Sequence, residues 1–160
     1  MGKASTIVDR EARKQVNLQQ IKMFKVFISW YDGHNHILAT EFFELLKKNG
    51  FDIEHSPFSP HSGVHDMRWS GWYGEGLPKA VGRVNAFIAV ITPSCDSSSW
   101  MMQEFESACF SFMNTGKPKL YFIRFDSIEK PLKYPEYYLQ NSDQLSSVPE
   151  EAVRTLLASN

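Results

Sequence analysis

The sequence predicts an α/β domain built on a doubly wound parallel sheet. Segments with the pattern of strands and segments with the pattern of helices alternate along the 160 residues. This alternation is typical of parallel strands joined by crossover helices. Hydrophobic residues make up 42% of the chain, which is enough for one substantial core.

The first half of the chain contains a polar start, two strands and one helix. Residues 1–22 are polar and charged and are predicted to form an N-terminal extension, with the domain over residues 23–160. The segment "KVFISW" predicts a mostly buried strand. The amphipathic segment "HILATEFFELLKKNG" predicts a helix, which Lys47 and Lys48 suit at its C-terminus and Gly50 ends. "FDIEH" alternates polar and apolar residues, as an edge strand does.

The second half begins with a short helix at "LPKAVGR" and a nearly continuous apolar run, "VNAFIAVIT". Such a run is typical of a central strand covered on both faces. "SSSWMMQEFESACFSF" predicts a helix and "KLYFIRF" a further strand, whereas "KPLKYPEYYLQ" matches neither pattern clearly. "SVPEEAVRTLL" predicts the last helix, with Ser147 and Glu150 at the spacing of a capping box.

The strand patterns also predict the order of the sheet. The second strand alternates and belongs at an edge, whereas the first and third are apolar and belong inside. This arrangement is the order 2-1-3-4-5 of the flavodoxin-like group, whose sites lie at the carboxyl ends of the strands. The segments to inspect for a site are therefore "SWYDGHNH", residues 56–76, "TPSCDSSSW" and "FDSIEK".

Charge and composition argue against several classes of partner. The formal net charge is -1, so we expect no strong attraction to nucleic acid or to an anionic membrane surface. No apolar run reaches the roughly 20 residues of a membrane helix, and the start lacks the apolar core of a secretory signal. The two cysteines form no disulfide framework. A cytoplasmic domain is expected.

Familiar catalytic motifs are missing from the sequence. "GEGLPKAVG" lacks the spacing of a phosphate-binding loop, and no GxSxG motif of a serine hydrolase occurs. His34 and His36 have no carboxylate or cysteine at a firm ligand spacing, so no metal site is expected. The aromatics of "MRWSGWY" suit either stacking on a planar base, covering a partner surface or folding onto the edge of the sheet.

The helix after the third strand carries the most informative pair of residues. Glu104 lies roughly 60° from the centre of the apolar stripe at about 100° per residue, so we expect it at the border of the buried face, neither fully solvated nor fully buried. Trp100 precedes it by one turn. The two residues are either a boundary charge with an aromatic lid over the core, or a small site built on a packing element.

Several of these segments together resemble the Toll/interleukin-1 receptor (TIR) domain family. They are "KVFISW", "LLKKNGFDI", "LPKAV", "NAFIAVITPSCDSSSWMMQEFESA" and "KLYFIRF". The similarity runs from about Met23 to Leu157. Its most specific part is an apolar strand followed by S-x-W-x-x-x-E at the start of a helix, here Ser98, Trp100 and Glu104.

The resemblance implies either protein–protein signalling or cleavage of NAD+, and the absence of receptor segments favours the enzyme. Glu104 maps onto the catalytic residue of the enzymatic branch. Trp100 would stack on a ring of the dinucleotide, and Ser29, Trp30 and Tyr73 would line the rest of the substrate site. NAD+ is then a substrate, and neither a cofactor nor a metal is implied. The expected enzyme releases nicotinamide and ADP-ribose, or a cyclic or conjugated form, in immune or defence signalling after self-assembly.

Two other functions are consistent with the resemblance, and the residues after the first strand depart from the family pattern. The chain could be a non-catalytic adaptor that acts through TIR–TIR contacts, or a nucleoside (deoxy)ribosyltransferase in which Glu104 is the nucleophile. Some NAD+-cleaving members carry arginines directly after the first strand. This chain has Tyr31 and Asp32 there, so Arg68 or Lys79 would have to contact the phosphates.

Overall fold

The computed structural model describes residues 10–13, 24–30, 37–55, 75–92, 99–125 and 136–159. Residues 10–13 are helical, and the remainder of the predicted extension lies outside the described part. The elements that follow are β1 (Lys25–Trp30), α1 (Ile37–Lys48), β2 (Asp52–His55), α2 (Leu77–Gly82), β3 (Ala86–Ile91), α3 (Ser99–Thr115), β4 (Lys119–Arg124), α4 (Glu136–Asn141), β5 (Ser142–Leu145) and α5 (Pro149–Ala158).

The strands of the described residues form one parallel sheet in the order β2-β1-β3-β4-β5. This confirms the predicted fold class and strand order. β3 is buried along its whole length and β1 along all but its first residue, whereas β2 at the edge is partly exposed. The apolar runs therefore occupy the centre because only central strands are covered by helices on both faces. None of the described helices has the length and apolar character needed to cross a membrane.

The sheet separates two apolar layers. Val26, Ile28 and Trp30 of β1 belong to the layer that contains α1 and α5. Phe27 of β1 belongs to the layer that contains α2, α3 and α4. Since successive side chains of a strand point to opposite faces, Ser29 faces the second layer together with Phe27.

Asn85 aligns the amino ends of the three central strands. Its backbone N–H donates to the Lys25 carbonyl (2.8 Å) and its carbonyl accepts from the Lys119 N–H (3.0 Å). Its side-chain Oδ1 accepts from the Lys25 N–H (2.9 Å). These bonds fix β1, β3 and β4 in one register, so their carboxyl ends lie at the same edge of the sheet.

Two helix ends test the predicted capping signals. α1 ends at Lys48, just before the predicted stop at Gly50, which has φ 84° and donates its N–H to the Lys47 carbonyl. The capping box predicted at Ser147 and Glu150 is wrong. α5 starts one residue later, with Pro149 in its first turn and Val148 at the cap position.

Ser146 makes the polar contacts at the start of α5 instead. Its hydroxyl accepts a hydrogen bond from the Val148 N–H (3.1 Å) and donates one to the Glu151 carboxylate (2.8 Å). The serine of the pair is thus one position earlier, and the glutamate one position later, than the predicted box. Pro149 explains the shift because it fixes the first helical position.

The segment after β4 for which the sequence predicts no clear element contains α4. A buried tyrosine connects this helix to the sheet. The Tyr138 hydroxyl donates to the Tyr121 carbonyl of β4 (2.6 Å). Its ring packs against Phe105 of α3 and Phe87 of β3, with centroid distances of 5.1 and 6.0 Å. Residues 126–135, which precede α4, lie outside the described part of the chain.

We expect Tyr138→Phe to lower the free energy of unfolding by about 1 kcal/mol, because it removes one buried hydrogen bond and keeps the ring packing. Urea denaturation measures this loss. Tyr137→Phe is the matched control, since the neighbouring Tyr137 is partly exposed and should tolerate the change. Equal stability of the two variants would contradict a structural role for the Tyr138 hydroxyl.

Candidate functional site

The sheet face beneath α3 changes from large to small side chains toward its carboxyl edge. Phe27 and Phe87 stack with centroids 5.3 Å apart and ring planes 6° from parallel. The next side chains on the same face are Ser29 and Ala89, which are register partners in β1 and β3. Both are completely buried. The two small side chains leave room above this part of the sheet for a side chain from α3.

Glu104 of α3 occupies that position. Phe105, its neighbour, packs edge-on against Phe87 with centroids 6.1 Å apart. α3 follows the carboxyl end of β3 and runs back along the sheet, so Glu104 lies on the carboxyl-edge side of this aromatic contact. Its carboxyl group lies beside the Ser29 hydroxyl, and the residue is 1% exposed.

Burial changes the acid–base properties of Glu104. Loss of hydration raises its pKa from 4.5 to about 8, and the nearby Ser29 hydroxyl opposes this by a smaller amount. In the unliganded protein the carboxyl group is therefore mostly protonated at neutral pH. The prediction that Glu104 lies at the border of the buried face is wrong. The small side chains of Ser29 and Ala89 leave a recess, and this recess lets the Glu104 side chain become fully covered.

Two polar atoms at this position lack a hydrogen-bond partner among the described residues: Ser29 Oγ and Glu104 Oε2. The Ser29 hydroxyl is thus close enough to affect the carboxyl group, but in this state it does not form a hydrogen bond of standard geometry. A buried unpaired polar atom costs about 1–3 kcal/mol. Unpaired groups of this kind call for an explanation, and a catalytic role is one of the usual ones.

Trp30 is separated from Glu104 by the sheet. It lies in the layer of α1 and α5, is 4% exposed, and packs against Phe43 with centroids 6.2 Å apart. The predicted contact of Trp30 with the substrate beside Glu104 does not fit this position. The reason is the two-residue period of β1, which directs Ser29 and Trp30 to opposite faces.

The remaining predicted residues are only partly described. Trp100 lies in the first turn of α3, one turn before Glu104. Lys79 is exposed on α2. Tyr73 of the predicted site, Ser98 of the motif and Arg68, one of the two candidates for phosphate contact, lie outside the described residues, as do Tyr31, Asp32, His34 and His36. Within the described residues, no group of three or more histidine, cysteine, aspartate or glutamate side chains could hold a metal ion.

A second feature, which the sequence did not predict, is a cleft of about 570 Å³ between α2 and α3. Its lining consists of Leu77, Pro78, Gln103, Glu106, Ser107, Phe110, Ser111, Asn114 and Thr115. Phe110 is 72% exposed, and Met113, one turn further along α3, is 64% exposed. The sequence indicates this surface through the positions of Phe110 and Met113 around the helix, which lie outside the buried stripe of α3.

Comparison with known proteins gives no assignment for this site. No protein-family model matches the chain, and no curated protein matches it either.

We expect Glu104 to make the stability of the protein depend on pH. The unfolded chain loses this proton near pH 4.5, whereas the folded protein keeps it until about pH 8. The contribution of protonated Glu104 to the free energy of unfolding is fully present below pH 4.5. It decreases as the pH rises from 4.5 to about 8, because the folded state binds more protons than the unfolded state in this range. Relative to Glu104→Gln, the wild type should lose about 3 kcal/mol between pH 5 and pH 7.

Denaturant titrations of both proteins at several pH values measure this difference. Glu106→Gln is the matched control, since Glu106 is exposed on the same helix and should leave the pH dependence unchanged. Parallel stability curves for wild type and Glu104→Gln would show that Glu104 does not titrate as a buried group.

Proposed function

We propose that this protein is a TIR-type enzyme that cleaves the bond between nicotinamide and ribose in NAD+, with Glu104 as the catalytic residue. The observation that carries the proposal is a buried glutamate with an unpaired carboxyl oxygen, near the carboxyl edge of a doubly wound sheet. Ligand sites of such sheets lie at that edge. The S-x-W-x-x-x-E pattern from Ser98 to Glu104 supports the same assignment.

The chemistry requires one well-placed negative charge. Nicotinamide in NAD+ is a cationic leaving group, so it departs with the bonding electrons as a neutral molecule and needs no proton. The C1′ carbon of the ribose becomes positively charged as the bond breaks, and an ionised Glu104 stabilises this charge in a water-poor environment. Attack on C1′ by water gives ADP-ribose and a proton, and attack by a nucleophile of the product or of another acceptor gives a cyclic or conjugated form.

The protonation of Glu104 fits a site that becomes active with its substrate. A neutral carboxyl group cannot stabilise the developing cation, so the free protein is in a resting state at neutral pH. The positive charge of the nicotinamide riboside favours the ionised carboxylate and lowers its pKa when NAD+ binds. In this proposal Trp100 stacks on a ring of the dinucleotide, and Tyr73 lines the pocket from the segment before α2.

The biological setting belongs to the same proposal. The protein would act in the cytoplasm, in immune or defence signalling, and would become active when copies of the TIR-type domain assemble. The support is the pattern shared with TIR-type enzymes, together with a net charge of -1, which does not keep copies of the chain apart.

We expect Glu104→Gln to lower NAD+ cleavage by at least about 100-fold, because the amide carries no charge to stabilise the cation. Chromatography of released nicotinamide measures the rate at dilute and at high protein concentration. Glu106→Gln removes an exposed charge on the same helix and should retain the wild-type rate.

Nicotinamide release by Glu104→Gln at the wild-type rate would rule out the assignment. A steep increase of the wild-type rate with protein concentration would support activation by assembly. A stable glycosyl adduct on Glu104 would instead identify a nucleoside (deoxy)ribosyltransferase, in which the carboxylate acts as nucleophile.

A second candidate function is that of a TIR-type scaffold which pairs with a second copy and has no catalytic role. It is favoured by the exposed Phe110 and Met113 beside the cleft between α2 and α3. Projecting apolar side chains and a cleft on one surface allow a self-complementary contact of two copies. Trp69 and Trp72, whose side chains also suit such contacts, lie outside the described residues.

For the scaffold we expect Phe110→Ser combined with Met113→Ser to raise the dimer dissociation constant at least about tenfold, because exposed apolar anchors carry most of such binding. Analytical ultracentrifugation over a range of concentrations measures this constant. Ile37→Ser is the control, since Ile37 is 81% exposed on α1 in the opposite layer. Unchanged association of the double variant would exclude this surface as the contact.

A further inference from the structure

Ser29 is an unusual residue for its position. The neighbouring β1 and β3 residues on the same face of the sheet are all apolar: Phe27, Phe87, Ala89 and Ile91. Ser29 is completely buried among them, and its hydroxyl has no hydrogen-bond partner within the described part of the chain. A hydroxyl in this layer costs free energy unless another polar group uses it. Glu104 is the polar group that reaches it.

We propose that Ser29 is a positioning residue, whose hydroxyl donates a hydrogen bond to the Glu104 carboxylate and holds it in the orientation needed to face the reacting ribose carbon. The inference rests on the proposed function and changes the role predicted for Ser29, from substrate contact to partner of Glu104. The Ser29 hydroxyl is near enough to lower the pKa of Glu104, and its hydrogen can turn about the Cβ–Oγ bond toward the carboxylate. Ionised Glu104 is a stronger hydrogen-bond acceptor than the neutral carboxyl group, so ionisation favours this hydrogen bond.

No other charged or titratable side chain of the described residues takes this role. The buried titratable groups of the same layer are Cys109 and Tyr138. Burial raises the pKa of Cys109 to about 11 and that of Tyr138 well above its usual value, so both stay neutral near pH 8. The charged groups of the elements packed against the layer are at least partly exposed: Lys25, Lys79, Glu106, Lys119, Arg124 and Glu136. Among the described residues, it is the Ser29 hydroxyl that lowers the pKa of Glu104 and so favours its ionised form.

The geometry of the sheet explains why a strand residue suits this task. Ser29 pairs with Ala89 of β3, and the four residues before it in β1 pair with β2 on the other side. Its position therefore does not depend on a loop or on the substrate. A hydroxyl on such a rigid element can orient the side chain of Glu104 as soon as its carboxyl group is ionised, and polar groups fixed in this way are the condition for effective electrostatic stabilisation.

The first test measures the Ser29–Glu104 contact without substrate. The side-chain carboxyl carbon of Glu104, labelled with ¹³C and assigned through its loss in Glu104→Gln, is titrated by NMR. We expect Ser29→Ala to raise the titration midpoint by at least about 0.5 pH unit, because the charged form loses its donor. Ser29→Thr, which keeps a hydroxyl, should return the midpoint toward the wild-type value. An unchanged midpoint in Ser29→Ala would overturn the proposal.

Thr92→Val is the matched control for this titration. Thr92 also carries a buried hydroxyl, directly after β3, but it does not contribute to the pKa of Glu104. The midpoint should therefore stay unchanged when this hydroxyl is replaced by a methyl group of similar size. A shift as large as that of Ser29→Ala would show that any loss of buried polarity moves Glu104, and would overturn the specific role of Ser29.

The second test measures NAD+ cleavage as a function of pH. We expect Ser29→Ala to move the rise of kcat/KM to higher pH, in the same direction as the NMR midpoint, and to lower kcat about tenfold with little change in KM. Ser29→Thr should recover most of kcat. A raised KM with an unmoved pH profile would instead identify Ser29 as a substrate contact and overturn its positioning role.

The two tests separate this inference from the proposed function. If the wild type cleaves no NAD+, the proposed function fails, while the NMR midpoint still decides whether Ser29 acts on Glu104. If cleavage occurs and depends on Glu104 but the midpoint of Ser29→Ala is unchanged, only the inference about Ser29 fails.

Discussion

The pairing of β1 with β3 is the interaction on which the other parts of the structure depend. It places two apolar strands side by side at the centre of the sheet, and Asn85 fixes their register at the amino ends. Because the register is fixed, Phe27 meets Phe87 and Ser29 meets Ala89 on the same face. The packing of α3 follows from this sequence of large and small pairs. The position of Glu104 is thus a consequence of strand register as much as of the helix that carries it.

The candidate site illustrates a conflict between stability and chemistry. A hydrophobic residue at position 104 would suit the apolar layer better than a carboxyl group with an unpaired oxygen. The surrounding contacts are strong enough to tolerate this penalty, since Phe105, Phe87 and Tyr138 form an aromatic cluster directly beside it. Local violations of packing rules in an otherwise consistent core are expected at functional sites.

The sequence alone predicted the sheet well because the relevant signals are long and apolar. The runs ending at Trp30 and Thr92 identify central strands, and the mixed pattern around Ile53 identifies an edge strand. β5 gave no comparable signal, since its four residues are mostly exposed at the other edge. The capping box at Ser147 failed because Pro149 decides where α5 begins.

The site was predictable in part. The spacing of Trp100 and Glu104 singled out the helix that carries the buried carboxyl group, and residue counting along β1 could have shown that Trp30 belongs to the opposite face. The burial of Glu104 was not predictable from α3 alone. It depends on the small side chains of Ser29 and Ala89, which come together only through the register of two strands separated by more than fifty residues.

The proton held by Glu104 also links binding to the surrounding buffer. A cation that binds beside this carboxyl group at neutral pH displaces its proton, so that up to one proton per site enters the solution. The apparent affinity for such a cation then increases with pH and levels off only well above the pKa of about 8, where the carboxyl group is ionised in the free protein as well. The heat measured on binding consequently includes the protonation enthalpy of the buffer, and buffers with different enthalpies report how many protons are released.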